Sequence, residues 1–247
     1  MITLTKCEFT YCKTETESKT VAIIEAAGGL QRIGDTDLLF KALGNVPVLA
    51  RSIKAFEECD FVNGIVVVTK EESLLAVQQL CKDYNFKKVT DIVSGGSNRA
   101  ESVIRGVVAA GNDADILLVH DGARPLVTKE IIKEVYNAAA LFGAAVCAVP
   151  LECTVKIVNP AGVIVKTPKS NELCAAQTPQ GFSAEKYRSA VNCFSGDLSD
   201  IDDDSMLLEA AGETVHTTNG SSENIKITKP EDFRFAENVL KKRGENE

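Results

Sequence analysis

The sequence lacks most of what would mark a membrane, secreted, zinc-binding or nucleic-acid-coating protein. Basic residues are outnumbered, 27 Lys and Arg against 35 Asp and Glu, for a formal charge of -8. Non-specific binding to nucleic acid needs the opposite balance. No stretch approaches the roughly 18 uninterrupted apolar residues of a membrane span. Residues 1–19 lack the basic start and apolar run of a secretory leader. Histidine is scarce, with two in the chain, and none of the eight cysteines (7, 12, 59, 81, 147, 153, 174 and 193) forms a CxxC pair. A zinc site is therefore not expected. Several cysteines lie in apolar runs, as in Ala-Val-Cys147-Ala-Val. That predicts buried, reduced thiols in a cytoplasmic protein. There is no repeat and no low-complexity tract.

What remains is an ordinary globular composition, 45% apolar and 25% charged over 247 residues. The chain is long enough for one or two domains with a full core. Its acidity has one consequence: an anionic substrate would have to be held by a few local cations and backbone N–H groups.

Residues 1–19 are polar and without period, and are read as an N-terminal extension. From Thr20 onward a rhythm sets in. Short apolar strands are predicted at Val21–Ile24, Ile65–Val68, Ile92–Val93, Ile116–Val119 and Ala144–Val149. Leu74, Val77, Cys81 and Tyr84 give a helical period over 71–84. A second helix is capped by Thr128, carries Ile131, Ile132, Val135, Ala138 and Ala139 on one face, and stops at Gly143. Strands alternating with such helices imply βαβ crossovers and a mostly parallel α/β sheet covered on both faces. Residues 151–173 break the rhythm. They alternate (Val155, Ile157, Val163, Val165) about a Pro160-Ala161-Gly162 turn, which reads as a projecting β-hairpin. A helix into Ala211-Gly212, a strand near 214–217 and a last helix from Pro230 to the basic Lys241-Lys242-Arg243 complete the chain.

In an open parallel sheet, ligands bind beyond the carboxyl ends of the strands, where four segments fall. Glu25 to Gly34 follows the first strand with small residues and Arg32, suited to a phosphate or equally to a structural turn. Ser94 to Ser102 opens a helix with two glycines and hydroxyls, either a ligand loop or a capped start. His120-Asp121-Gly122-Ala123-Arg124-Pro125 puts charges just past an apolar strand, which is costly without partners or a ligand. Ala175 to Gln180, with Glu223 to Thr228, adds polar residues that alone read as turns. His216 is read as structural, and the Asp200–Asp204 run as a solvated face or helix start rather than a cation site.

Together, AAGG…R…G, GG…R…S, HDGARP, AAQTPQ and ENIKITKPED, in this order across 21–232, resemble the 2-C-methyl-D-erythritol 4-phosphate cytidylyltransferase family. The resemblance implies a single domain over 20–247 with a Rossmann-like nucleotidyltransferase sheet flanked by helices, and 151–173 as a dimerisation arm. It implies transfer of CMP from CTP to the polyol phosphate, with Mg²⁺ and release of pyrophosphate, in isoprenoid precursor synthesis. Ala27, Gly28, Gly29 and Arg32 would then wrap the triphosphate. Gly95, Gly96 and Ser102 would hold cytosine, and Asp121, Gly122 and Ala123 would meet ribose and the metal region. Arg124, Thr154 and Thr178 would contact the acceptor, and Lys226 would set its phosphate near the α-phosphorus. Arg32 and Lys226 are thus the expected catalytic pair. Whether protein carboxylates or phosphate oxygens hold the metal is left open.

Four positions depart from the family pattern. Glu25 replaces a proline, and Leu30 a glycine. Leu38 stands where the family has a lysine, with Lys41 close by. Ser170 stands where the arm has an arginine, with Lys169 adjacent. Two alternatives follow: a catalytically impaired nucleotide-binding paralogue, or a cytidylyltransferase for another polyol phosphate such as ribitol 5-phosphate.

Overall fold

A computed structural model describes residues 18–28, 32–33 and 36–245, with backbone alone at 32, 33 and 36. Residues 1–17 of the expected extension, Gly29, Leu30 and the side chain of Arg32 lie outside the described residues.

In chain order the elements begin with β1 (Thr20–Ala26) and four two-residue strands, β2 (Arg32–Ile33), β3 (Thr36–Asp37), β4 (Ala42–Leu43) and β5 (Val46–Pro47). Then come α1 (Val48–Glu57), β6 (Gly64–Thr69), α2 (Leu74–Asp83), β7 (Val89–Ser94), α3 (Arg99–Ala109), β8 (Ile116–Asp121), α4 (Lys129–Phe142) and β9 (Ala144–Pro150). The arm strands are β10 (Ile157–Val158) and β11 (Ile164–Lys166). The chain closes with β12 (Cys174–Ser183), α5 (Ala184–Cys193), α6 (Ser205–Ala210), β13 (His216–Asn219) and α7 (Pro230–Arg243).

Seven strands form the central sheet in the order β13-β9-β12-β8-β1-β6-β7. β12 runs antiparallel to both neighbours, β8 and β9, and the other pairs are parallel. Side-chain alternation along β1 explains the two covered faces. Ala22, Ile24 and Ala26 pack with residues of α1, α2, α4 and α7. Val21 and Ile23 pack on the other face with α3, α5 and α6.

The predicted helix ends are borne out. The Thr128 hydroxyl accepts the Ile131 N–H at 3.5 Å, and α4 stops at Gly143. α7 starts at Pro230, with Asp232 accepting the Lys229 N–H at 3.1 Å, and ends in basic residues. The 151–173 hairpin is present as the antiparallel β10–β11 pair, with Ile157, Val158, Val163, Ile164 and Val165 all exposed.

The elements not anticipated are α1, α5, β12 and the two-residue strands β2 to β5. β12 carries Pro179 and polar residues, which argue against a central strand. Its pairing with β9 breaks register between Ala176 and Gln180, and Pro179 sits inside that break. The cysteine expectation holds in part. Cys59, Cys81 and Cys147 are buried, and burial pushes their thiols up to about 11, 11 and 12. Cys153, Cys174 and Cys193 are exposed instead, two of them at the base of the arm. His216 is structural, stacked on Phe142 at 4.0 Å.

Candidate active site

β1 and β8 are parallel neighbours with Glu25 opposite Asp121, so two carboxylates leave the sheet side by side at its carboxyl edge. Both are buried. Such a pair is costly unless cations surround it, and three converge on Asp121. Its Oδ2 lies 3.1 Å from Arg124 Nε and 3.2 Å from Lys226 Nζ, and its Oδ1 lies 3.6 Å from Arg99 Nε. Burial acts to raise the Asp121 pKa. Lys226, Arg99 and Arg124 together outweigh burial and hold the carboxyl well below the usual carboxylate range. Glu25 moves the other way: burial first, then the nearby Asp121, raises its pKa. Its Oε1 accepts the Ala27 N–H at 2.8 Å, so this side chain folds back beneath the loop.

Arg99 extends the network inward. Its Nη1 donates to Asp204 Oδ2 at 2.8 Å, and the Tyr187 hydroxyl donates to Asp204 Oδ1 at 2.8 Å. Gln180 Oε1 accepts the N–H groups of Asp204 and Ser205. Asp204 therefore does mark a helix start, but it is fully buried rather than on a solvated face.

His120 fixes the strand end from behind. The Arg124 carbonyl can only accept, so His120 Nε2–H donates to it at 3.1 Å. His120 Nδ1 then accepts from the Thr178 hydroxyl at 3.0 Å, and Thr178 Oγ1 in turn accepts the Asp121 N–H at 3.0 Å. Burial pushes the imidazole down to about 4, against the pull of Asp121, so it is neutral near pH 7.

The polar residues that looked like isolated turns are cross-links. Asn224 Nδ2 donates to the Thr178 carbonyl at 2.9 Å, the Asn224 carbonyl accepts Arg124 Nη1 at 2.8 Å, and Ile227 N–H donates to the Ala123 carbonyl at 2.8 Å. These bonds seat Lys226 over Asp121.

Two glycines mark close approaches. A Cβ on Gly122 would lie 2.9 Å from Leu49 Cδ1 and 3.1 Å from the Glu25 carbonyl, whose oxygen accepts the Gly122 N–H. A Cβ on Gly95 would lie 2.5 Å from Ala27 Cβ and 2.7 Å from Ser102 Oγ. The Gly95-Gly96 loop thus rests directly on the Ala27–Gly28 loop. Ser102 Oγ accepts the Gly96 N–H at 3.0 Å and donates to the Asn98 carbonyl at 2.8 Å. A cavity of about 160 Å³ opens at the ends of β1 and β8, lined by Glu25, Gly28, Leu39, Asp121, Ala123 and Lys226. In a larger hollow of about 400 Å³ elsewhere, Lys54 and Lys129 face Glu58, Arg243 faces Glu223, and Arg51 donates to the Leu43 carbonyl, so its cations do not serve this cluster.

The structure thus gathers Ala27, Gly28, Gly95, Gly96, Ser102, Asp121, Gly122, Ala123, Arg124 and Lys226 at one edge of the sheet. Thr178 lies behind Asp121, with its hydroxyl engaged by Asp121 and His120. Thr154 is exposed at the base of the arm. The Arg32 backbone pairs with Asp37 in the β2–β3 ladder. Leu38 is buried in the core at 1% exposure. Lys41 points to α7, its Nζ 4.4 Å from the Phe233 ring centre. Lys169 is exposed and faces Glu172 at 3.5 Å. Arg99 and Asp204 were not anticipated as site residues. Arg99 could have been suspected from its place at the first turn of the helix after the double glycine. Asp204 is one of four aspartates in a short stretch, and sequence does not single it out.

A divalent cation fits this edge in a limited way. Asp121 Oδ1 is buried without a hydrogen-bond partner. Among the described residues no group of three His, Cys, Asp or Glu side chains converges. That donor set suits Mg²⁺ held by one carboxylate together with substrate phosphates, the usual arrangement for this ion.

A parallel sheet with small-residue loops and converging cations at its carboxyl edge is the architecture of a nucleotidyltransferase. The family model for 2-C-methyl-D-erythritol 4-phosphate cytidylyltransferase matches residues 20–242, and the chain belongs to that family. It is 43% identical over 233 residues to the 2-C-methyl-D-erythritol 4-phosphate cytidylyltransferase of Alkaliphilus oremlandii, covering 94% of this chain and 99% of that one. The Dehalococcoides mccartyi (strain ATCC BAA-2266) protein of the same name is 41% identical over 224 residues, covering 91% and 97%. Among solved structures, the 4-diphosphocytidyl-2C-methyl-D-erythritol synthase of Anaerococcus prevotii superposes with a TM-score of 0.79 at 25% identity, covering 92% of this chain and all of that one. The Francisella tularensis cytidylyltransferase gives 0.74 at 29%, covering 89% and 98%. No helix among the described residues is long and apolar enough to cross a membrane.

Proposed function

We propose that this chain transfers CMP from CTP to 2-C-methyl-D-erythritol 4-phosphate in the cytoplasm. The observation that carries this reading is the buried Asp121, which holds Lys226 and Arg124 in place beside the Ala27–Gly28 loop. An oxygen of the acceptor phosphate attacks the CTP α-phosphorus in line. One P–O bond forms to the acceptor, the bond to the β-phosphate bridging oxygen breaks, and pyrophosphate leaves with that electron pair. No covalent enzyme intermediate is needed, so the protein's work is positioning and charge neutralisation. Lys226 and Arg124 face the acceptor phosphate. The Ala27–Gly28 loop, with Arg32, faces the triphosphate, and the Gly95–Ser102 segment faces cytosine. Thr178 acts by holding Asp121, while Thr154 reaches an acceptor from the arm. Asp121, whose Oδ1 has no hydrogen-bond partner, would be the residue to hold a Mg²⁺ ion, which would supply neutralisation of triphosphate charge.

The exposed apolar arm residues Ile157, Val158, Val163, Ile164 and Val165 are suited to cover by a second copy, giving a homodimer through 151–173. Two features favour a slower or altered enzyme. Leu38 places no charge at the site, and the arm offers Ser170. Losing one cationic transition-state contact costs about 10²–10³ in rate.

The test is pyrophosphate release from CTP and Mg²⁺ with 2-C-methyl-D-erythritol 4-phosphate, and in parallel with ribitol 5-phosphate. Turnover with the first acceptor supports the proposal. Turnover with the second alone reassigns the acceptor. CTP binding without turnover on either favours the impaired paralogue.

A further inference from the structure

The cations placed so far, Arg99, Arg124 and Lys226, all gather around Asp121 on the β8 side of the cavity. The other side, where a triphosphate tail would lie over the Ala27–Gly28 loop, is reached by the turn after β3, whose Leu39 lines the cavity, and β6 is the next strand on that side of β1. Leu38 is buried there and Lys41 faces Phe233.

Lys70 is the next residue after β6. Thr69 pairs with Ala26 on one side and Ser94 on the other, so Lys70 leaves the sheet between the two glycine-containing loops. The Gly95 N–H donates to the Thr69 carbonyl at 2.8 Å, which keeps both loops close to this point. The Lys70 side chain is only 24% exposed, and its Nζ lies 3.8 Å from Asp37 Oδ2. That separation is beyond hydrogen-bond distance. The ammonium is therefore held near Asp37 by charge without committing an N–H to it. Asp37 Oδ1 accepts the Leu39 N–H at 3.0 Å, and Leu39 lines the cavity. The Asp37 backbone pairs with Arg32 across the two-residue ladder. Lys70 thus stands beside the turn that contributes Leu39 to the cavity wall, on the β6 side of β1, whereas Lys226 pairs with Asp121 on the β8 side.

We infer that Lys70 is a ligand of the β- and γ-phosphates of the bound nucleoside triphosphate, supplying on β6 the positive charge that residue 38 does not. The inference rests on the nucleotidyltransferase reading above. Lys70 exchanges its loose contact with Asp37 for phosphate oxygens when the triphosphate enters. Its charge then offsets the tail that leaves as pyrophosphate.

The experiment is isothermal titration of the full chain with CTP and with CMP at low salt, without acceptor. For Lys70→Met, CTP affinity should fall about tenfold, a charge-assisted hydrogen bond's worth, while CMP affinity stays at the parent value. Lys70→Arg should keep most of the CTP affinity. Asp37→Asn should hold or tighten CTP binding, because it frees the ammonium. If Lys70 served only to anchor the turn, Lys70→Met and Asp37→Asn would weaken both nucleotides alike and lower the melting temperature together, which overturns the inference. Unchanged CTP binding in Lys70→Met overturns it as well. A folded parent chain that binds no CTP overturns the nucleotidyltransferase reading itself, and the Lys70 role falls with it.

Discussion

Restoring a lysine at residue 38 is the obvious way to repair an apparent charge deficit, and the structure predicts that it fails. Leu38 is 1% exposed and belongs to the same core cluster as Leu39, Leu43 and Leu49. It sits in a tight turn in which Phe40 N–H donates to the Asp37 carbonyl at 3.0 Å and Lys41 N–H to the Leu38 carbonyl at 3.3 Å. An ammonium at this position must either stay buried without a partner or pull the turn out of the core. Leaving a buried charge uncompensated costs about 3–5 kcal/mol. For a domain of this size each kcal/mol moves the melting temperature by about 2–4 °C, so Leu38→Lys should melt roughly 6–20 °C below the parent. Leu38→Met, which conserves volume, should cost less than about 1.5 kcal/mol. Thermal melts and urea midpoints of the three proteins test this, with pyrophosphate release measured on the same samples. A Leu38→Lys protein that melts with the parent and turns over faster would refute the argument, because it would mean that residue 38 faces the site.

Arg99→Met should remove the cation shared by Asp121 and Asp204 and cost about 3–5 kcal/mol, read as a lowered urea midpoint at unchanged slope. His120 gives a pH signature. Its folded value, about 4, lies below the ordinary 6.5, so the unfolded chain binds more protons between the two. The His120 contribution is therefore complete above pH 6.5 and is lost as pH falls towards 4, by about 3 kcal/mol in all. Subtracting the stability-against-pH curve of His120→Gln from that of the parent should isolate this slope, and parallel curves would sink the assignment. Gly95→Ala should force the Ala27 and Gly95 loops apart and weaken CTP binding at an overpacking cost of about 1–3 kcal/mol, while the circular dichroism spectrum stays native.

The parallel part of the fold was legible because β1, β6 and β8 are buried on both faces and read as short continuous apolar runs. β12 was not, because its polar and prolyl residues serve the site: Gln180 holds the Asp204 loop, and Thr178 holds His120 and Asp121. The site residues adjacent in sequence, 120–124, were visible as charges misplaced at the end of an apolar strand. Arg99 and Asp204 were not, since their pairing joins positions 105 residues apart and leaves no local pattern. Glu25 looked like a negative charge placed against a phosphate. The structure turns that carboxyl back under Ala27 and raises its pKa, so the mismatch with an anionic ligand is smaller than the sequence suggested.

These placements divide the site into two electrostatic halves. On the β8 side, Arg99, Arg124 and Lys226 are fixed by Asp121, Asp204 and the Asn224 carbonyl before any ligand arrives. Such cations need little reorganisation when charge develops at the α-phosphorus. On the β6 side the position of Leu38 is apolar and closed, and Lys70 is tethered only loosely to Asp37, beside the turn that carries Leu39 into the cavity wall. An acceptor phosphate would meet a rigid half, and a leaving pyrophosphate a movable one. A change on the rigid half should therefore depress kcat and kcat/KM together, because those contacts act on the transition state. A change at Lys70 should appear first in affinity for the triphosphate, because its contact is made when the tail binds.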